Sequence, residues 1–201
     1  MHKLLLEIPT RIETERLLLR SYERGDGAWY HGMSLRNQAH LARYEAENAV
    51  MAIQSAEDAE IVVRDFEADW VSRKAFFLGA FEKGAGEFVA QIYVGPVDWG
   101  LPEFQIGYFV DKGHEGKGYV TEAVRGTLAF VFDRLRAHRV SIECDDTNDR
   151  SIRVAERCGM VLEGHLREDT LNADGTRTGT LRFGLLKREF EALRKAGVAC
   201  E

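Results

Sequence analysis

The segment Asp111-Lys-Gly-His-Glu-Gly-Lys-Gly-Tyr-Val-Thr-Glu-Ala123 constrains the fold more than any other stretch of this chain. Gly113, Gly116 and Gly118 fall between a strand-like run at residues 105–110 and a helix-like run from about residue 121 to 135. Without Cβ atoms, the backbone N–H groups of such a loop can turn toward one point. The helix start adds unpaired N–H groups and the positive end of its dipole. Together they make a cradle for a phosphate or pyrophosphate. A Walker loop is excluded, because Gly116-Lys117 is followed by Gly118 where a magnesium-binding hydroxyl is required. A dinucleotide fingerprint is excluded too, because its third glycine would fall at Thr121. The alternative is a glycine-softened turn that holds no ligand.

A second segment, Arg139-Val-Ser-Ile-Glu-Cys-Asp-Asp-Thr-Asn-Asp-Arg-Ser-Ile-Arg-Val-Ala-Glu-Arg-Cys-Gly-Met-Val-Leu-Glu-Gly164, reads as strand, polar turn, short helix, glycine stop and strand. Asn148 suits a helix cap, and Gly159 suits the left-handed position after Cys158. With these residues the chain resembles the GNAT acyltransferase superfamily, which uses acetyl-coenzyme A. Its x-x-Gly-x-Gly pyrophosphate signature is matched by the loop at residues 113–118. The Asn-x-x-Ser-x-x-x-x-Glu-x-x-Gly-Met pattern that begins at Asn148 is similar to the ribosomal-protein N-terminal acetyltransferase (RimJ/RimL-like) branch. Thr14-Glu-Arg-Leu-Leu-Leu-Arg20 matches that branch's opening strand. One departure is Gly113, where the family often has Gln or Arg; the backbone donors are unaffected.

Length and composition set the limits. The chain has 201 residues, enough for one well-packed domain, taken as residues 1–201. No apolar run approaches the roughly 20 residues that span a bilayer. Glu7 breaks the apolar start that a signal peptide would need. Cys144, Cys158 and Cys200 show no CxxC spacing and read as cytosolic thiols, implying a cytoplasmic protein, with Cys144 as core filling. A net charge of −6 argues against nucleic-acid and anionic-membrane partners and for a cationic one. The histidines show no metal-ligand spacing, and no metal is expected.

Seven strands are expected: residues 16–21, 75–81, 88–97, 104–110, 139–144, 160–171 and 177–186. Helices are expected at about residues 26–38, from Ser55 with Asp58 as a capping pair, at 121–135, from about Ser151, and at 187–195. Asn172-Ala-Asp-Gly175 signals a hairpin turn. Antiparallel hairpins beside one βαβ unit give an α+β domain with a mixed, mostly antiparallel sheet of about seven strands flanked by helices. The resemblance implies the same fold, splayed at the acyl-CoA site.

Acetyl transfer requires a held thioester, a deprotonated amine, N–H donors for the developing oxyanion and a proton for the leaving thiolate. The resemblance implies that Gly113, His114, Glu115, Gly116, Lys117, Gly118, Tyr119, Val120 and Thr121 bind the pyrophosphate of acetyl-CoA. It also implies that the strand end at Tyr108, Phe109 and Val110 receives the thioester, with an oxyanion donor at Phe109 or Val110. Asn148 holds the pantetheine or caps the helix. Ser151 is the branch's candidate acid; the alternative is a serine bonded to its own backbone. Many relatives place the base where this chain has Gln105, which cannot take a proton. Glu103 lies two residues earlier, on the same strand face, and is the candidate base, acting through water; the alternative is a surface acid. An already neutral N-terminal amine would need no base. Trp99 is expected as a substrate-side wall. The implied function is N-acetyl transfer from acetyl-CoA to a primary amine, on a protein N-terminus or a small molecule, by direct attack in a ternary complex. A homodimer is implied as well. The alternative is a non-catalytic acyl-CoA-binding regulatory domain.

Overall fold

Among the described residues, eight strands form one sheet in the order β1-β2-β3-β4-β5-β6-β8-β7. They are β1 (Arg11–Glu13), β2 (Leu17–Ser21), β3 (Phe76–Glu82), β4 (Phe88–Asp98), β5 (Glu103–Val110), β6 (Arg139–Asp145), β7 (Val161–Leu171) and β8 (Arg177–Leu186). The helices are α1 (Gly27–Leu41), α2 (Ala56–Ser72), α3 (Tyr119–Asp133), α4 (Asp149–Arg157) and α5 (Lys187–Lys195). The computed structural model describes residues 2–172 and 174–197. Cys200 and the second residue of the expected 172–175 turn lie outside the described residues.

The strand count exceeds the expected seven by β1, whose three residues are too few to show a period. It is held by antiparallel pairing of Arg11 with Arg20 and Glu13 with Leu18. Every neighbouring pair is antiparallel except β5 with β6.

Local chemistry fixes where the helices begin. The Ser55 hydroxyl accepts the Asp58 N–H at 3.1 Å, and the Asp58 carboxylate accepts the Ser55 N–H at 2.9 Å. This reciprocal cap stabilises α2 by about 1 kcal/mol. The helix then buries Ala59, Val63, Phe66 and Trp70. Ahead of α1, Asp26 receives both Arg20 guanidinium nitrogens, at 2.6 and 2.9 Å, and the Trp29 indole N–H at 2.8 Å. Asn148 caps α4 by accepting the Ser151 N–H at 3.2 Å, and Gly159 stops it with φ +75°.

The sheet separates two apolar cores. One gathers Leu17, Phe76, Ile92, Phe104, Ile142 and Phe183 with Val124 and Val131 of α3 and Phe190 of α5. The other joins Tyr30 and Met33 of α1 and Val63 and Phe66 of α2 to Phe88 and Phe109. The one parallel pairing among the described strands, β5 with β6, joins only three residues on each side.

Candidate active site

Pairing of β5 with β6 is confined to Glu103, Phe104 and Gln105 against Arg139, Val140 and Ser141. Beyond that the strands diverge, and a cavity of about 490 Å³ opens between them. Its walls include residues 106–110 of β5, Glu143, Cys144 and Asp145 of β6, and Asn148, Ser151 and Val154 around α4. Asp111 donates its N–H to the Val89 carbonyl of β4 at 2.9 Å. Antiparallel bonding alternates every second residue, so Phe109 faces Gln91 of β4 while Val110 directs its N–H into the open seam. An unpartnered strand edge beside a cavity suits an extended, amide-bearing chain such as pantetheine.

At one end of the cavity lies the glycine loop. Gly116 and Gly118 sit at φ +72° and +78°, a region that side chains resist. The first intrahelical bond of α3 runs from Glu122 N–H to Gly118 C=O at 3.1 Å, so the N–H groups of the preceding helical turn have no acceptor within the helix. A Cβ at Gly116 would meet nothing within 4 Å, so open space rather than packing surrounds it. This cradle fits a diphosphate.

Two carboxylates hold the loop in shape. Asp111, almost fully buried, accepts from the Arg36 Nε at 2.9 Å, the Asn37 Nδ2 at 2.8 Å and the Gly113 N–H at 3.1 Å, and faces His114 Nδ1 at 3.1 Å. Burial alone would raise its pKa, but the bonds from Asn37, Arg36 and His114 hold it below the ordinary aspartate value. Glu122 accepts from the Thr14 hydroxyl and Arg16 Nε, each at 2.6 Å, and from the Arg16 N–H at 2.7 Å. Arg16 in turn donates to the Lys117 carbonyl at 3.1 Å. The same balance of burial against these donors lowers the Glu122 pKa.

Midway along the cavity, the Tyr108 hydroxyl lies 2.9 Å from the Ser151 Oγ and donates to the Ser151 carbonyl at 3.1 Å. Burial pushes the Tyr108 hydroxyl well above its ordinary pKa, so it keeps its proton at any working pH. Cys144 is half-buried: it packs against the main core, as expected, and also lines the cavity where the strands diverge. Burial raises its pKa, so it is a poor nucleophile at neutral pH.

Ser151, Asn148, Phe109, Val110, Glu115 and Val120 thus share the cavity wall. Gly113, Gly116, Lys117, Gly118, Tyr119 and Thr121 lie in or just after the adjacent loop. His114 turns away toward Asp111 and Glu87. Glu103 does not line the cavity: it sits where β5 and β6 still pair and accepts from Arg139 Nε at 3.1 Å. Arg139 also bonds Glu163, which makes Glu103 part of a structural ion network. Trp99 is not a substrate wall either; its ring packs edge-on against Phe104, centroids 5.0 Å apart. Sequence reasoning missed the acid role open to Tyr108, because its partner lies 43 residues away. Nor did it single out Glu45, which lines the cavity from the connection after α1.

Residues 16–161 match the Acetyltransferase (GNAT) domain family. The chain belongs to the GNAT acetyltransferases. This GNAT chain is 28% identical over 180 residues to the ribosomal N-acetyltransferase candidate YdaF of Bacillus subtilis (strain 168), covering 88% of this chain and 94% of the relative. It is 27% identical over 154 residues to the spermidine N(1)-acetyltransferase of Vibrio cholerae, covering 77% and 84%. Mycobacterium smegmatis RimJ in complex with CoA-disulfide shares the fold at a TM-score of 0.80 and 22% identity over 99% of each chain. RimL, a ribosomal L7/L12 alpha-N-protein acetyltransferase solved with coenzyme A, shares it at 0.78 and 20% identity over 89% and 97%. The GNAT enzyme described here transfers an acetyl group from acetyl-CoA to an amine. Among the described residues, no helix is long and apolar enough to cross a membrane.

Proposed function

We propose that this enzyme acetylates a primary amine by direct attack in a ternary complex, with the donor lying in the β5–β6 seam. The observation that carries the reading is the seam itself: an unpaired β5 edge with the glycine cradle at one end and a hydroxyl pair at its middle. Acetyl-CoA supplies the activated acetyl group. Gly116, Gly118 and the start of α3 bind its diphosphate, and Gly113 shapes the loop through its N–H bond to Asp111. Asn148 holds the first turn of α4 in place, so that Ser151 orients the Tyr108 hydroxyl. Tyr108 is the proton donor to the leaving sulfur, and the Val110 N–H is the oxyanion donor. Glu103 supports the seam through Arg139 rather than acting as the base.

The acceptor class is a protein N-terminal amine or a small cationic amine, as the relatives' names suggest for those proteins. A non-catalytic acyl-CoA-binding role draws support from Gln105, which cannot take a proton, but the Tyr108–Ser151 pair supplies proton chemistry that a mere binding domain does not need. Thiol release from acetyl-CoA across a panel of amines tests the proposal, and silence with every amine despite tight CoA binding would overturn it.

The proposal extends to one catalytic unit over residues 1–201, acting in the cytoplasm as a homodimer without nucleic-acid contact. The net charge of −6 supports the last point. Exposed Val161, Leu162, Leu166 and Leu171 on the edge strand β7 support self-association. A monomer mass by light scattering would overturn the dimer.

A further inference from the structure

A second cavity, of about 360 Å³, adjoins the first. It lies under the α1–α2 connection, residues 42–55, and against the aromatic rings of Phe77, Tyr93 and Phe109. The two cavities share Glu45, Gly107, Tyr108 and Phe109. Direct transfer between two bound molecules needs two chambers meeting at one point, and residues 107–109 of β5 are that point.

Glu45 is the one carboxylate, among the described residues, that lines both chambers. Its backbone is fixed by a bond from its N–H to the Leu41 carbonyl at 2.8 Å. Asn48 Nδ2 donates to Oε2 at 3.0 Å, which orients the carboxylate and leaves Oε1 with no partner among the described residues. The second chamber carries Glu45 and Glu47 and no lysine or arginine. A cation is therefore the occupant whose charge it complements.

We propose that Glu45 receives the acceptor as an ammonium ion in the second chamber and takes its proton. This rests on the acetyltransferase reading given above and assigns the base that Gln105 cannot supply. The acceptor it selects is a primary amine with a compact apolar stem, to suit the aromatic wall, and net positive charge. Proton transfer leaves a neutral amine and a carboxylic acid at Glu45, which then returns the proton to solvent. The C–N bond forms as the thioester carbonyl opens to the oxyanion at the Val110 N–H, and its closing breaks the C–S bond. The second proton shed by the nitrogen balances the one gained by sulfur. Burial raises the Glu45 pKa against the opposing effect of Asn48, which makes its carboxylate a stronger proton acceptor.

The test is Glu45→Gln, isosteric and able to keep the Asn48 contact, with Glu45→Asp as a second variant. Steady-state thiol release is measured with a small alkyl diamine, a size-matched monoamine and an acidic amino acid, alongside calorimetry with acetyl-CoA. Wild type is expected to prefer the diamine. The Gln variant is expected to lose about 100-fold in kcat/KM for the amine, with acetyl-CoA affinity unchanged, and Asp to recover part of the loss. An active wild type with a Gln variant of more than one third its kcat/KM would overturn the role of Glu45 alone. A wild type that binds acetyl-CoA yet acetylates nothing would overturn the acetyltransferase reading and this proposal together.

Discussion

Replacing Tyr108 by Phe removes a single oxygen from the middle of the seam. That oxygen touches Ser151 twice, at Oγ and at the carbonyl. Losing a neutral hydrogen bond of this kind costs about 1 kcal/mol of fold stability. If Tyr108 protonates the leaving sulfur, kcat/KM falls far more, by about 10²- to 10⁴-fold as for other general acids. At 1.36 kcal/mol per tenfold, that is about 3–5 kcal/mol of transition-state stabilisation. Ser151→Ala leaves the Tyr108 proton and its carbonyl contact in place, so its loss is smaller, about tenfold or less, or near 1 kcal/mol. Steady-state thiol release gives kcat and KM for both variants, and calorimetry with acetyl-CoA checks that donor binding is within about twofold of wild type. The reasoning fails if the order is reversed, or if the Phe variant keeps a third of wild-type kcat/KM.

Other substitutions report on the loop and its anchors. Gly118→Ala forces a side chain onto φ +78°, costing about 1–2 kcal/mol, and should weaken acetyl-CoA binding at least tenfold by calorimetry. Asp111→Asn keeps an oxygen for Arg36 and Asn37 but removes the charge that pairs with Arg36 and the second oxygen that accepts the Gly113 N–H, so it should lower both thermal stability and donor affinity. Asp26, Asp111 and Glu122 all hold pKa values below the ordinary 3.8 and 4.5. Depressed carboxylates bind fewer protons folded than unfolded, so their contribution is complete above about pH 5 and is lost as pH falls through and below those ordinary values. Urea midpoints measured from pH 7 to 3 should show that acid limb, and Glu122→Gln should flatten it.

Much of the scaffold is written locally in the sequence. The capping pair Ser55 and Asp58, the stop at Gly159 and the glycine run at residues 113–118 each act within a few residues of themselves, so local chemistry reveals them. The missing pieces depend on distant partners. Arg139 meets Glu103 because β5 and β6 run parallel, a pairing across 36 residues that turns a candidate base into an ion-pair partner. Tyr108 gains its proposed acid role from α4, which follows only after α3 and β6. Glu45 sits in a connection where no periodicity marks inward from outward, and only the meeting of two cavities distinguishes it. Strand β1 had too few residues to announce itself.

The Asp111 clamp ties the two substrates' territories to one rod. Its grip on Arg36 and Asn37 falls in the last turns of α1, immediately upstream of the stretch that carries Glu45. Lys112 N–H adds a bond to the Asn37 Oδ1 at 2.8 Å. With the amine seated as proposed, a shift at the diphosphate loop reaches it through α1, and by linkage donor and acceptor would then alter each other's affinity by the same factor.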